Sequence, residues 1–385
     1  MFKLNFLAKF NTSDKTQWAP LFNSKTWICL AIIIVLAFFT YFFRYAETSS
    51  GFWDEGYHIA SAQKYLNGVY FMEQHPPLGK LLIALGEKIF YPNGQYGKKG
   101  SYDNKFINTD QASNYPDDFS FKGYRFFSAL LGWLTAPLLF LIFLYITRNS
   151  LYSALLSCLY IFDNALIVHL RGAMLEGPLI FFSVLMILIY FLILEYGEKI
   201  SMFIVLNLFF GITFGLVAST KLWGLAMILL LPAYFYKLLP NWKKIIKALG
   251  LFTLGFLIIY ISVWQIHFSL GKKIVPALSD NGYYRASPEY KKILAEGTSG
   301  NFSNFPIMFL DSVDYVFSYN EGVPKLKLSD PKENGSPFFV WPLGARAINY
   351  LWNEVSKNTY KYVYLQSNPI VWLSALLSLI IGCSM

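Results

Sequence analysis

The chain has 385 residues, of which 55% are hydrophobic, 19% aromatic and only 14% charged, where soluble domains carry about 25% charged residues. So much apolar surface, with a mean hydropathy of +0.41, cannot be hidden in one soluble core, which excludes an ordinary globular domain and leaves an integral membrane protein. The net charge of +9 is not gathered in blocks that would track a nucleic-acid backbone, and Cys29, Cys158 and Cys383 lie inside apolar runs as small buried hydrophobes, with no metal-ligand spacing and no disulfide framework.

Residues 1–26 form a polar, basic lead that is expected on the cytoplasmic side. The apolar run after it lacks a small-residue cleavage site and reads as an anchor, not a removed signal. A helix needs about 20 apolar residues to cross a bilayer core. Spans are expected at 27–45, 124–146, 150–167, 174–194, 202–219, 222–238, 245–267 and 369–383. In the connection 46–123, a helix over 55–67 runs from Asp54 to Gly68. A second, over 76–90, opens at Pro76-Pro77. Leu78, Leu81, Leu82, Leu85 and Ile89 share one of its faces opposite Glu87 and Lys88, the pattern of a helix lying in the membrane interface. The stretch 91–120 reads as irregular. Lys3, Lys9, Lys15, Lys25, Arg148, Lys199, Lys237, Lys243, Lys244 and Lys247 all fall on one side if every span crosses. That side is cytoplasmic by the positive-inside rule, so 46–123 and the late loop 269–368 face outward.

The residues able to carry chemistry crowd the outer ends of the spans. Asp54 and Glu55 are adjacent carboxylates directly after the first span; read alone, Asp54 is a helix N-cap and Glu55 a first-turn residue favoured by the helix dipole. His75 and Lys80 follow in "EQHPPLGKLL", where a solvated His75 and a snorkelling Lys80 are the plainer readings. Arg125 opens the second span, Asp163, Arg171 and Glu176 bracket the outer turn between the third and fourth, and Lys221 sits in the next. Asp163 and Arg171 can also simply pair and pin helix ends. Ionisable groups in such places are functional candidates by default: carboxylates suit a general base, and cations suit phosphate, which a lipid phosphate at the outer leaflet would supply. No D-x-D pair, phosphate-binding glycine loop or zinc-spaced histidine pair is present, so neither a metal site nor a cytoplasmic nucleotide donor is expected.

The segments "WDEGYH", "EQHPPLGKLLIALGE", "YRFFSALLGWLTAPL", "YIFDNALIVHLRGAMLEG" and "GITFGLVASTKLWGL", with the later "SPFFVWPLGAR" and "YLQSNPIVWL", resemble in order the protein O-mannosyltransferases. The resemblance implies an all-α polytopic membrane protein: a GT-C-like bundle of about eight transmembrane helices with outer-face interfacial helices and a large late outer loop. It divides the chain into a tail at 1–26, a transmembrane catalytic region at 27–268, the outer loop 269–368 and a last span at 369–385. It implies an inverting transfer of mannose from polyprenyl-phosphate-mannose to a Ser or Thr hydroxyl of an acceptor protein, without a cofactor. Asp54 would be the base beside Glu55. His75, Lys80 and Arg125 would bind the donor phosphate; the crowding of ionisable residues at the outer span ends adds Arg171 and Lys221 to them, with Asp163 and Glu176 in support.

This sequence departs from the family where "RGAMLEG" places Glu176 and Gly177 at an Asp-Ser position. It carries no inserted β-trefoil (MIR) domain, for which the late loop is too short, and it stops where relatives continue for several spans. An inactive truncated or split member is therefore an alternative to the active enzyme, as is a second chain that supplies further spans; the membrane expected is a prokaryotic plasma (inner) membrane. Rival readings are a transferase acting on a glycolipid or cell-wall glycan, whose relatives favour K-P-P over the H-P-P seen here, and a transporter or scaffold without catalysis. Transporters place polar groups at the midplane, whereas these sit at span ends.

Overall fold

The computed structural model describes residues 21–94, 102–275, 282–322, 325–330 and 333–384; the expectation for the tail 1–26 falls almost wholly outside them. Among the described residues five helices are long and apolar enough to cross a membrane: Ser24–Phe42, Lys122–Thr147, Glu176–Tyr196, Ile200–Ala218 and Trp242–Leu270. They coincide with five of the eight expected spans. The chain is an integral membrane protein, and it divides into two compact units.

The first unit comprises 1–40, 139–169 and 325–385. Helix α1 (Ser24–Ala37) is capped by Asn23, whose side chain accepts from Thr26 N at 3.1 Å. It packs on α5 (Ser150–Ile161), capped in the same way by Asn149. The expected span 150–167 is not continuous: α5 and α6 (Asn164–Leu170) meet at a 62° bend. Asp163 causes the break, because its side chain accepts from Leu166 N (3.0 Å) and starts a new helix. The late loop holds structure that an all-helical reading missed. Strands β1 (Ile348–Ser356) and β2 (Thr359–Leu365) form an antiparallel hairpin, turning at Lys357-Asn358, where Asn358 takes φ +65°. The last expected span is a 16-residue helix, α13 (Pro369–Ser384), shorter than a full crossing.

The second unit comprises 41–138 and 170–324. Its apolar bundle is built from α7 (Glu176–Tyr196), α8 (Ile200–Ala218) and α10 (Trp242–Leu270) around Phe203, Phe210, Phe214 and Phe252. Without a hydrophobic drive between helices in lipid, close backbone packing must hold them. Gly211 and Gly255 allow it: a Cβ on either would overlap a backbone carbonyl of the facing helix, Phe252 O or Leu208 O. The expected span 222–238 is a 3₁₀ segment, Leu222–Leu229, followed by the nine-residue α9 (Leu230–Leu238). Pro232 falls in the first turn of α9, where its missing N–H costs nothing, so the helix begins there and cannot extend back through it.

Above the bundle lie α2 (Glu55–Asn67) and α3 (Leu78–Phe90), close to where the sequence placed them. Leu85, Ile89 and Phe90 are exposed on α3, as an interface helix requires, while Lys80 and Glu87 are buried. Glu87 is thus not on a solvated face. It accepts from Asn93 Nδ2 (2.9 Å), and burial beside Asp103 pushes its carboxyl well up. The helices α11 (Pro288–Ala295) and α12 (Phe305–Gly322) complete the unit through a second cluster around Trp264, Phe268 and Tyr290.

Candidate active site

The centre of the site is a buried ion pair. Arg125, at the start of α4 (Lys122–Thr147), donates from Nε to Glu55 Oε1 (2.7 Å) and from Nη2 to Glu55 Oε2 (2.8 Å). Both residues are 0% exposed. Two further guanidinium donors reach Thr48 O (2.6 Å) and Ser50 O (3.0 Å), and the rings of Phe121 and Phe52 flank the cation. Glu55 accepts two further bonds, from Phe52 N (3.1 Å) and Ala173 N (2.7 Å). Glu55 thus accepts four bonds within the protein, which also takes up four of the five Arg125 donors. Together they clamp the ends of two spans and the 172–175 turn to α2.

Asp54 has the opposite fate. It is exposed, and although it immediately precedes α2, its side chain makes no cap hydrogen bond. Trp53 before it sits at φ +50°, a left-handed conformation that a bulky residue adopts only when its surroundings enforce it. Phe52 N and the Phe52 ring are held by Glu55 and Arg125, so the strain at Trp53 follows from the clamp and turns Asp54 outward.

A polar basin lies beside this pair. Lys80 is 3% exposed and bonds Glu73 Oε1 at 2.5 Å; Glu73 is 0% exposed. The Tyr65 hydroxyl bridges Glu73 Oε2 (3.2 Å) and His267 Nδ1 (2.9 Å) at the end of α10. Lys80 is therefore neither snorkelling nor free, since its charge is matched by a buried carboxylate. At the mouth, Lys221 pairs with Glu176 at 2.5 Å, both side chains about a quarter exposed. Leu78 N donates to Ser219 O (2.8 Å), which fastens the H-P-P segment beside Lys221. Gly177 suits this end of α7, because a Cβ there would come within 2.8 Å of Ser128 on α4.

His58 and His75 face the same charges. His58 donates from Nδ1 to Ala173 O (2.7 Å). Burial, with help from the Lys80 ammonium, lowers both imidazoles to about 3, so both are neutral at physiological pH. Glu73, His58, Tyr65 and His267 escaped the sequence reading; Glu73 and His58 stand within the quoted motifs, but nothing local distinguishes them from neighbouring polar residues.

Two expected members do not join. Arg171 donates to Phe43 O (3.0 Å) and Arg44 O (2.8 Å), capping the chain as it leaves the first span, and burial lowers its pKa. Asp163 belongs to the first unit, where it caps α6 and accepts from Trp372 Nε1 (2.9 Å).

An array of buried, paired charges at one end of a span bundle defines a polytopic membrane protein with an interfacial polar site. The fold matches that of the Saccharomyces cerevisiae protein O-mannosyltransferase Pmt1–Pmt2 complex bound to the sugar donor, with a TM-score of 0.60 and 22% identity over 74% of this chain and 38% of that one. The family model for dolichyl-phosphate-mannose-protein mannosyltransferases matches residues 31–271, well over half the chain, which therefore belongs to that family. It is 28% identical over 282 residues to dolichyl-phosphate-mannose–protein mannosyltransferase 6 of Saccharomyces cerevisiae, covering 68% of this chain and 35% of that protein. It is 31% identical over 153 residues to protein O-mannosyl-transferase 2 of Danio rerio, covering 40% of this chain and 19% of that protein. The chain thus spans about a third or less of the length of these curated relatives. They are eukaryotic, so the expectation of a prokaryotic membrane draws no support from them.

Two outcomes follow from the geometry. Arg125→Ala strands a buried carboxylate and is expected to lower the unfolding free energy by about 3–5 kcal/mol. Replacing both partners, Glu55→Leu with Arg125→Met, is expected to recover part of that loss in denaturant titrations; a phosphate ligand would instead lose binding with stability intact. The histidines have folded pKa values below the unfolded value of about 6.5, so their contribution to stability is complete above pH 6.5 and is lost as pH falls from there toward 3. The unfolding temperature should drop across that window, and His58→Gln with His75→Gln should flatten the profile.

Proposed function

We propose that the chain carries the catalytic face of a membrane mannosyltransferase, moving mannose from a polyprenyl-phosphate donor to a Ser or Thr hydroxyl of an acceptor protein. Family membership supports the reaction class. The reading of the site rests on one observation: of two adjacent carboxylates, Glu55 is sealed by four donors and Asp54 is turned outward. Asp54 takes the hydroxyl proton as the new O–C1 bond forms and the C1–O bond to phosphate breaks, and the polyprenyl phosphate leaves from the opposite side. One base and a single displacement give inversion, with no second, nucleophilic carboxylate.

Of the cations, Lys221 best suits the leaving phosphate. Both members of its pair are partly exposed, unlike Lys80–Glu73 and Arg125–Glu55, so a phosphate can compete with Glu176 for it without leaving a fully buried charge unmatched. Neutral His75 adds a hydrogen-bonding group beside it. The basin lies at the span ends that follow Phe42, precede Arg125 and Glu176, and follow Ala218 and His267. By the positive-inside rule these are the non-cytoplasmic ends.

Asp54→Asn is expected to cut turnover at least on the order of 10²-fold with donor binding largely kept; Lys221→Ala should instead weaken donor binding. Near wild-type transfer by a folded Asp54→Asn chain, measured with radiolabelled polyprenyl-phosphate-mannose in membranes, would exclude the base. For orientation, cysteines placed at residues 110 and 300 should react with an impermeant reagent from outside, and one at 243 should not. Labelling at 243 would reverse the assignment.

A further inference from the structure

The first unit contains a cleft that the transfer reading does not use. Its volume is about 130 Å³, and Trp341, Trp372, Ala165 and Leu365 form apolar walls. It opens at the level where two apolar helices begin. Asn164 Nδ2 donates to Gln366 O and Asn368 Nδ2 to Phe162 O, each at 3.4 Å, and Trp372 of α13 bonds Asp163 before α6. Beyond that level α13 exposes Leu376, Leu377, Leu379, Ile380 and Ile381, as a helix in lipid does. The cleft and this exposed apolar face thus share one helix, since Trp372 of α13 lines the cleft.

Two groups at the cleft await an anion. Arg346 lies at the rim, exposed, with its backbone held at φ +56°. Among the described residues its guanidinium makes one bond, from Nη2 to Glu333 O at 3.2 Å. The Glu333 carboxylate, held below its usual range by Lys327 N (3.0 Å) and Gly335 N (2.7 Å), also feels the Arg346 charge but leaves its other donors unbonded. The second group is Ser336: its Oγ is buried against the cleft and has no hydrogen-bond partner, a state that normally calls for a missing ligand or water. The other polar side chains are committed inward, Gln366 to Gly344 O (3.0 Å) and Ser367 to Trp341 O (2.6 Å), which leaves little to read a sugar.

We propose that this cleft binds an anionic phospholipid of the surrounding bilayer, with the headgroup phosphate on Arg346 and the Ser336 hydroxyl and the start of an acyl chain against Trp341 and Trp372. Apolar walls, one cation and one orphan hydroxyl at the level of the span ends match a phosphodiester joined to a hydrocarbon chain. The proposal is independent of the transfer reaction and of Asp54.

The test uses the full chain in phosphatidylcholine nanodiscs doped with brominated phosphatidylglycerol or brominated phosphatidylcholine. Quenching at the cleft is isolated as the difference between the wild-type chain and the Trp341→Phe, Trp372→Phe double variant. Phosphatidylglycerol should reach half-quenching at an about three- to fivefold lower mole fraction than phosphatidylcholine, the effect of one interfacial cation. Arg346→Gln should abolish that preference, and Ala165→Phe, which fills the cleft, should reduce quenching by both lipids. Equal quenching by the two lipids, or a preference that survives Arg346→Gln, would overturn the proposal. So would displacement of brominated phosphatidylglycerol by a minor fraction of polyprenyl phosphate, which would assign the cleft to that lipid.

Discussion

The bidentate bond between Glu55 and Arg125 is the constraint on which the site depends. Two opposite charges with no exposure are tolerated only when their mutual attraction is supplemented by enough hydrogen bonds to replace lost water. Here the carboxylate has four donors, and the guanidinium has two backbone carbonyls and two aromatic faces besides. The pair joins α2 to the start of α4, and its further partners come from the 48–52 segment, from Phe121 just before α4 and from the 172–175 turn. The pair acts beside the apolar cluster that packs the same elements, which includes Ile59, Ile83, Phe121, Tyr124 and Leu175. It fixes Phe52, forces Trp53 into a left-handed conformation and leaves Asp54 facing out.

The same logic explains why so many charges sit together at the ends of apolar helices. Lipid reverses the usual rule, so that apolar faces turn outward and polar groups turn in. Helix α3 shows it within 13 residues, exposing Leu85, Ile89 and Phe90 while burying Lys80 and Glu87. Each buried charge then needs a local partner: Lys80 has Glu73, Arg125 has Glu55, and Glu87 is raised toward its neutral form beside Asp103. Pairs differ in what a ligand can do with them. A sealed pair is a strut, whereas the Glu176–Lys221 pair is reached by solvent, so its mutual attraction is screened and weaker.

The breaks in the expected spans have equally local causes. A hydropathy profile cannot distinguish a continuous helix from two that meet at a bend, because both hide the same apolar area. One Asp at 163, by accepting from a backbone N–H three residues on, divides an 18-residue apolar run into α5 and α6. One Pro at 232 separates a 3₁₀ segment from α9. The hairpin at 348–365 was hidden for another reason: its Trp and Tyr residues suit an apolar profile as well as a strand face, and only the turn at Asn358 with β1–β2 pairing settles which they form.

By itself the sequence determined the membrane class, five of the eight spans expected of it, the helix over 55–67, a second helix expected over 76–90 and found over 78–90, and the crowding of charged residues near span ends. These depend on the hydropathy, periodicity and order of neighbouring residues, which the chain states directly. It also singled out Asp54, Glu55, Lys80, Arg125, Glu176 and Lys221, but not their parts. The structure decided that Glu55 and Arg125 hold the site together, that Lys80 is matched by Glu73, that Arg171 and Asp163 finish helix ends, and that His58 and His267 stand in or beside the basin. Those roles follow from partners far apart along the chain: Glu55 meets Arg125 70 residues on and Ala173 118 residues on. A side chain's charge and reach are written in its own residue, but whether that charge is spent on a neighbour or kept for a ligand is set by what folding brings within 3 Å of it.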